Sequence, residues 1–161
     1  MTLYQIATEK DKIFCASLMA SYEPWVTLQR SFEQAFKIIN DPTSEVYLAK
    51  HDDQAIGFAI IKLKGAFVGY IQSILIIKDF QKQGFGKQLI RELETYMFSK
   101  YPNIFICVSS FNPEALKFYN SIGYEVIGEL TDYIIKGHSE FLLRKSICSI
   151  NEFIEKKGNI C

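Results

Sequence analysis

The sequence predicts a mixed α/β domain, a sheet of about seven strands flanked by about four helices. Three observations point there. Apolar periodicity alternates between helical spacing and β-rich runs, in the order strand, two helices, three strands, helix, strand, helix, two strands. That order is too irregular for a doubly wound fold. The run Ile74-Leu75-Ile76-Ile77 is apolar throughout, as suits a central strand covered on both faces.

Each element has its own signal. A short strand fits Thr2–Ile6. Thr8 and Asp11, three residues apart, cap a helix through Ile13, Phe14, Ala16, Leu18 and Met19. Glu23-Pro24-Trp25 ends it, because the residue before proline avoids helical dihedrals. Leu28, Phe32, Ala35, Phe36 and Ile39 predict a second helix over 28–39, stopped by Asp41-Pro42. Strands follow at 45–50 and 55–64, joined by the polar hairpin loop His51-Asp52-Asp53-Gln54, and then a long one over 67–77. Phe85, Leu89, Ile90, Leu93 and Met97 mark one face of an amphipathic helix. After a strand at 103–108, Asn112-Pro113 opens a shorter helix that Gly123 closes as a left-handed cap. Two last strands fit 124–128 and 140–145. Residues 1–146 form one domain on this reading. The tail 147–161 carries Ile147, Ile150, Phe153 and Ile154, which could form a short docking helix or mediate a homodimer.

Composition narrows the function. With 161 residues, 48% of them hydrophobic, the chain can bury a core without staples. Eighteen basic and eighteen acidic side chains balance, which argues against a nucleic-acid or membrane surface. An anion site must then be built locally. Cys15, Cys107, Cys148 and Cys161 lack C-x-x-C spacing, and His51 and His138 are the two histidines, so no metal site is expected. Reduced thiols, no signal-peptide order and no bilayer-length apolar run give a cytoplasmic expectation.

The segment Gln81-Lys82-Gln83-Gly84-Phe85-Gly86-Lys87, set between strand and helix, carries the chemistry. Two glycines permit close backbone approach. Free N–H groups at a helix start, at the positive end of its dipole, make an anion site, and Lys82 and Lys87 add charge beside it. A phosphate or pyrophosphate suits it. The segment lacks the Lys-Ser/Thr ending of a P-loop and the third glycine of a dinucleotide fingerprint, so an ordinary strand–helix turn fits these residues equally well.

The wider context resembles the GNAT superfamily of acyl-CoA-dependent N-acetyltransferases. Gln81-Lys82-Gln83-Gly84-Phe85-Gly86 is similar to its motif A, R/Q-x-x-G-x-G/A, preceded by the apolar strand Ile74-Leu75-Ile76 and followed by the long helix. Asn112-x-x-Ala115-x-x-Phe118-Tyr119-x-x-x-Gly123-Tyr124 resembles motif B. The resemblance implies a mostly antiparallel sheet with strands 4 and 5 splayed and the pantetheine arm of acetyl-CoA lying in the gap like an added strand. Ile74 and Ile76 would then face that arm with their backbone, and an amide near Leu75 or Ile76 would polarise the thioester carbonyl. Gln81, Lys82, Gln83, Gly84, Phe85, Gly86 and Lys87 would surround the pyrophosphate, and Asn112 would meet the arm while capping its helix. Phe85 could turn inward or toward the adenosine.

Tyr119 matches the motif tyrosine beside the leaving sulfur and is assigned general acid, since a phenol titrating near ~10 keeps its proton at neutral pH. The base is harder to place. Relatives use strand glutamates where this chain has Tyr70 and Cys107. Glu23 is the carboxylate offered instead, and an exposed loop acid is its simpler reading; Gln72 and Ser73 could order a relaying water. Cys107 reads as a small hydrophobe, not a nucleophile. The acceptor pocket should draw on Tyr22, Trp25, Gln29, Phe67, Tyr70, Gln72 and Tyr133, with His138 in the loop before the last strand. Trp25 is a lid or a plug. The function implied is direct acetyl transfer from acetyl-CoA to a primary amine, small or at a protein N-terminus. The alternatives are a non-catalytic acyl-CoA-binding module and, more distantly, a nucleotide- or phosphate-binding protein.

Overall fold

A computed structural model describes residues 1–6, 8–65 and 68–158. Seven strands form one sheet: β1 (Thr2–Gln5), β2 (Ser44–His51), β3 (Gln54–Lys62), β4 (Tyr70–Ile76), β5 (Asn103–Ser109), β6 (Glu125–Thr131) and β7 (Ser139–Ser146). Their order across the sheet is β1-β2-β3-β4-β5-β7-β6, and β4–β5 is the one parallel pair. Helices α1 (Glu9–Ser21) and α2 (Phe32–Ile39) pack on one face, α3 (Phe85–Phe98) and α4 (Pro113–Ser121) on the other. Strand alternation divides the core accordingly: Phe58 and Ile60 of β3 join α1 and α2, while Ala59 and Ile61 join α3 and α4. On α3 the buried residues are Leu89, Ile90, Leu93 and Met97, the stripe its spacing predicts.

Capping follows the sequence at most ends. The Thr8 hydroxyl accepts the Asp11 N–H at 3.2 Å, and Asn112 Oδ1 accepts the Ala115 N–H at 3.2 Å. Gly123 takes the left-handed conformation. The second helix differs from expectation, starting at Phe32 instead of Leu28. Gln29 sits at φ 55°, which breaks helical continuity, and Ser31 with Gln34 forms a reciprocal capping box that restarts it. Residues 22–31 are therefore a turned segment, tied by Leu28 N–H to Pro24 C=O (3.0 Å) and Arg30 N–H to Trp25 C=O (2.9 Å). The tail does form a helix, α5 (Ile150–Gly158), but it buries none of its residues and leaves Ile150 and Ile154 exposed.

What positions the site is the joint between β4 and β5. They pair only at Tyr70–Phe105 and Ile71–Ile106, and beyond those two pairs the strands part. Gly69 sets the close start of that joint. Its carbonyl accepts the Phe105 N–H at 2.9 Å, and a methyl there would run into the Asn103 carbonyl oxygen. Just past the joint the β3–β4 register slips, with Ile60 opposite Ser73 and Ile61 opposite Ile71, so Gln72 is an extra residue in β4. A bulge of this kind bends its strand and re-aims its side chains.

Candidate active site

The parting strands open toward the C-terminal end of β4, where a single 3-10 turn (Lys78–Phe80) leads into the glycine loop. Lys82 (φ 60°) and Gly84 (φ 89°) are both left-handed, and Gly84 stands at the N-cap of α3 with no side-chain cap. The first intrahelical bond is Gln88 N–H to Gly84 C=O at 3.0 Å. The amides of Phe85, Gly86 and Lys87 thus have no partner within the helix. Space beside the glycines is open: a methyl at Gly84 would meet nothing within 4 Å, and at Gly86 only the Phe118 ring edge at 4.0 Å. An exposed row of amides, without a capping side chain and with room in front of it, fits a diphosphate.

The side chains of the loop are used differently from its backbone. Gln81 donates to the Ile76 carbonyl (2.8 Å) and Gln83 to the Asp79 carbonyl (2.8 Å), bracing the turn from within. Phe85 turns inward, its ring 4.7 Å from His51 and 5.9 Å from Phe80. Lys87 lies along the α3 flank near Arg91, Glu94 and Lys145.

Between the parted strands lies a cleft that gathers Trp25 from the 22–31 turn, Tyr70, Gln72, Ser73 and Ile74 from β4, Asn112 and Tyr119 from α4 with its cap, and Tyr133 from the β6–β7 loop. Leu75 and Ile76 instead send their side chains into the two cores. Tyr119 is buried at 4% exposure, edge-on to Phe118 and Tyr124, and burial raises its phenol above the ordinary range. Tyr70 is raised likewise, first by burial and then by the Cys107 thiol beside it; burial also raises Cys107. Gln72 Oε1 is buried and has no hydrogen-bond partner among the described residues. Trp25 is a plug: its ring stacks on Phe58 at 5.7 Å and 28°, anchoring the 22–31 segment while its edge lines the cleft.

Other sequence candidates stand outside the cleft. Both Glu23 carboxylate oxygens accept from Thr27, at 3.2 Å from its N–H and 3.0 Å from its hydroxyl, and the residue is exposed. The Tyr22 hydroxyl accepts the Lys78 N–H at 3.5 Å. Gln29 is exposed on its left-handed turn, and His138 packs edge-on against Phe111 at 4.9 Å. Phe67 and Cys161 lie outside the described residues.

Three polar cleft residues had no role in the sequence reading. Glu140 opens β7 directly opposite Ser109 of β5, is 4% exposed, and accepts the Ser109 hydroxyl at 2.5 Å. Burial raises its carboxyl above the usual range, and the Ser109 bond offsets part of that. Arg30, from the turned segment, is the third; its Nε is buried without a partner among the described residues. Among the described residues no group of three His, Cys, Asp or Glu side chains is placed to hold a metal, and no helix is long and apolar enough to cross a membrane.

A model of the acetyltransferase (GNAT) family matches residues 12–124, well over half the chain. The protein belongs to the GNAT acetyltransferase family. Solved structures agree on its fold. A putative GNAT-family acetyltransferase from Desulfovibrio desulfuricans superposes with TM-score 0.75 at 16% identity, covering 91% of this chain and 99% of its own. The spermidine N-acetyltransferase from Vibrio cholerae, in complex with CoA and spermine, gives 0.70 at 19% identity, over 95% and 97%. An aminoglycoside 6'-N-acetyltransferase complexed with coenzyme A gives 0.71 at 16%, over 92% and 98%. No curated protein matches the chain significantly.

Proposed function

We propose that this GNAT protein transfers acetyl from acetyl-CoA to a primary amine by direct attack within a ternary complex. One observation carries the reading: a single cleft between β4 and β5 holds a buried phenol, Tyr119, and a buried carboxylate, Glu140, and opens toward the amide-rich loop at Gly84. The amides of Phe85, Gly86 and Lys87 hold the diphosphate of CoA, with Lys82 beside them. The unpaired edge of β4 from Ser73 to Ile76 faces the pantetheine arm, together with Asn112. Acetyl-CoA supplies a thioester whose carbonyl is the electrophile.

The chain's own residues then manage two protons. An amine reaches the protein as ammonium, and it attacks only after losing a proton. Glu140 takes that proton. Its raised carboxyl makes it a stronger base than an exposed glutamate, and Ser109 fixes its orientation. This gives Glu140 the base role in place of Glu23, whose oxygens are engaged by Thr27. Tyr119 holds a proton at Oη for the sulfur that leaves as the new C–N bond forms and the C–S bond breaks. Burial keeps that phenol protonated throughout the neutral range. A non-catalytic binding module needs no carboxylate in the cleft, and Glu140 on β7 supports the enzymatic reading over it. Free thiols at Cys15, Cys107 and Cys148 support a reducing, cytoplasmic setting.

The test is thiol release from acetyl-CoA with a panel of primary amines. Turnover on at least one class supports the transferase. CoA binding with no turnover on any amine returns the reading to a binding module.

A further inference from the structure

Among the described residues Arg30 is a charge without a counter-charge. It lines the β4–β5 cleft, no acceptor meets its buried Nε, and it takes part in none of the ion pairs among the described residues. Burial depresses its pKa, and no nearby carboxylate offsets that. Guanidinium stays charged regardless. Holding such a group partly buried and unpaired is unfavourable, so an anion arriving in the cleft gains what the protein leaves unsatisfied. The local sequence supports a placed residue: Gln29 at φ 55° and the Arg30 N–H bond to the Trp25 carbonyl (2.9 Å) fix the turn, and Trp25 is itself anchored on Phe58.

Glu140 lines the same cleft, held by Ser109 and not by Arg30. Tyr70, Cys107 and Tyr119 also line it, and burial raises all three, which keeps them neutral near pH 7. The cleft therefore presents one positive and one negative group kept apart, with aromatic walls between elements. A polycation would meet one favourable and one repulsive charge. A zwitterion meets two favourable ones.

We infer that the acceptor is a small amine bearing a carboxylate, a free amino acid or close analogue, with its carboxylate on Arg30 and its amine toward Glu140. Arg suits this task because its planar fork binds a carboxylate through two N–H donors. The inference rests on the transferase reading above and narrows its substrate.

Matched acceptors test it on the wild-type protein: amino acids, their carboxamides, the corresponding decarboxylated amines, and spermidine as a polycation. We expect kcat/KM for amino acids to exceed that of the carboxamides and amines by at least about tenfold. Arg30→Gln should erase the preference, chiefly by raising KM for the carboxylated acceptors, and Arg30→Lys should restore part of it. A CoA titration on each variant shows whether it is folded; should Arg30→Gln fail to fold, the wild-type panel decides alone. Equal or better turnover of the amines, carboxamides or spermidine overturns the inference and leaves the transferase standing. No turnover on any acceptor, with CoA bound, overturns both.

Discussion

The two walls of the proposed site, the glycine loop with the β4 edge and the side chains of the β4–β5 cleft, are made of different material. On the proposed reading the cofactor wall is backbone: the left-handed Gly84, the three amides after it that have no partner within their helix, and the open edge of β4 beyond Ile71. The acceptor wall is side chains brought from afar, Arg30 from the 22–31 turn, Tyr70 from β4, Ser109 from β5 and Glu140 from β7. A backbone wall suits what every member of a family would share, on the proposed reading a diphosphate and an amide-containing arm. A side-chain wall can be changed one residue at a time, and the proposed function puts the choice of amine there. Substitutions on the first wall should move cofactor binding, and those on the second should move turnover and acceptor choice.

Tyr119→Phe should give the largest effect, since the proposal makes its phenol the proton donor to the leaving sulfur. We expect kcat to fall by about 100-fold or more while CoA affinity stays near wild type; steady-state kinetics with calorimetry read both. An equal loss in CoA affinity would assign the hydroxyl to cofactor holding. Glu140→Gln comes next, with a fall of about 10- to 100-fold near neutrality. Wild-type kcat/KM should climb with pH through the raised Glu140 titration, as the carboxyl loses its proton, and the variant should lack that limb. Gly84→Ala should act on the other wall. With φ 89° and open space around it, the cost is conformational, about 1–2 kcal/mol, and CoA binding should weaken by about tenfold with little change in acceptor preference.

The smallest expected effect concerns stability. Glu140 has a folded-state pKa above its unfolded one, so its linkage favours the fold at low pH and is lost as pH rises through the folded value. Glu140→Gln should therefore melt higher than wild type above neutrality, and the difference should close as the solution is acidified. A thermal melt series from pH 5 to about 8.5 measures it. A constant difference across the series would mean that the carboxylate is not desolvated.

The same division explains what could be read from the chain. Element order, the α3 stripe, the Thr8 and Asn112 caps and the glycine loop are local patterns, written within a few neighbouring residues. Glu140 is not local. In sequence it is an acidic residue opening an apolar strand, and it becomes a cleft residue only because β7 pairs with β5 in a register that sets it against Ser109, 31 positions away. Arg30 is hidden in the sequence because a helix starting at Leu28 makes it a helical surface residue, whereas the Gln29 turn and the Ser31 capping box put it in a loop that lines the cleft. Glu23 is the converse: in sequence it is the acid nearest the turn, and in the fold it stands outside the cleft with both oxygens partnered by Thr27.

The two-pair joint at Tyr70–Ile71 has one further consequence. A sheet interrupted in its middle behaves as two stiff plates, β1 to β4 and β5 with β7 and β6, sharing one short seam that Gly69 keeps narrow. A linear molecule carrying amides, slipped between the plates, would extend the seam and fasten them to each other. Loading the donor would then tighten the whole scaffold before any acceptor arrives, and deuterium uptake along β4 and β5 would record that fastening residue by residue.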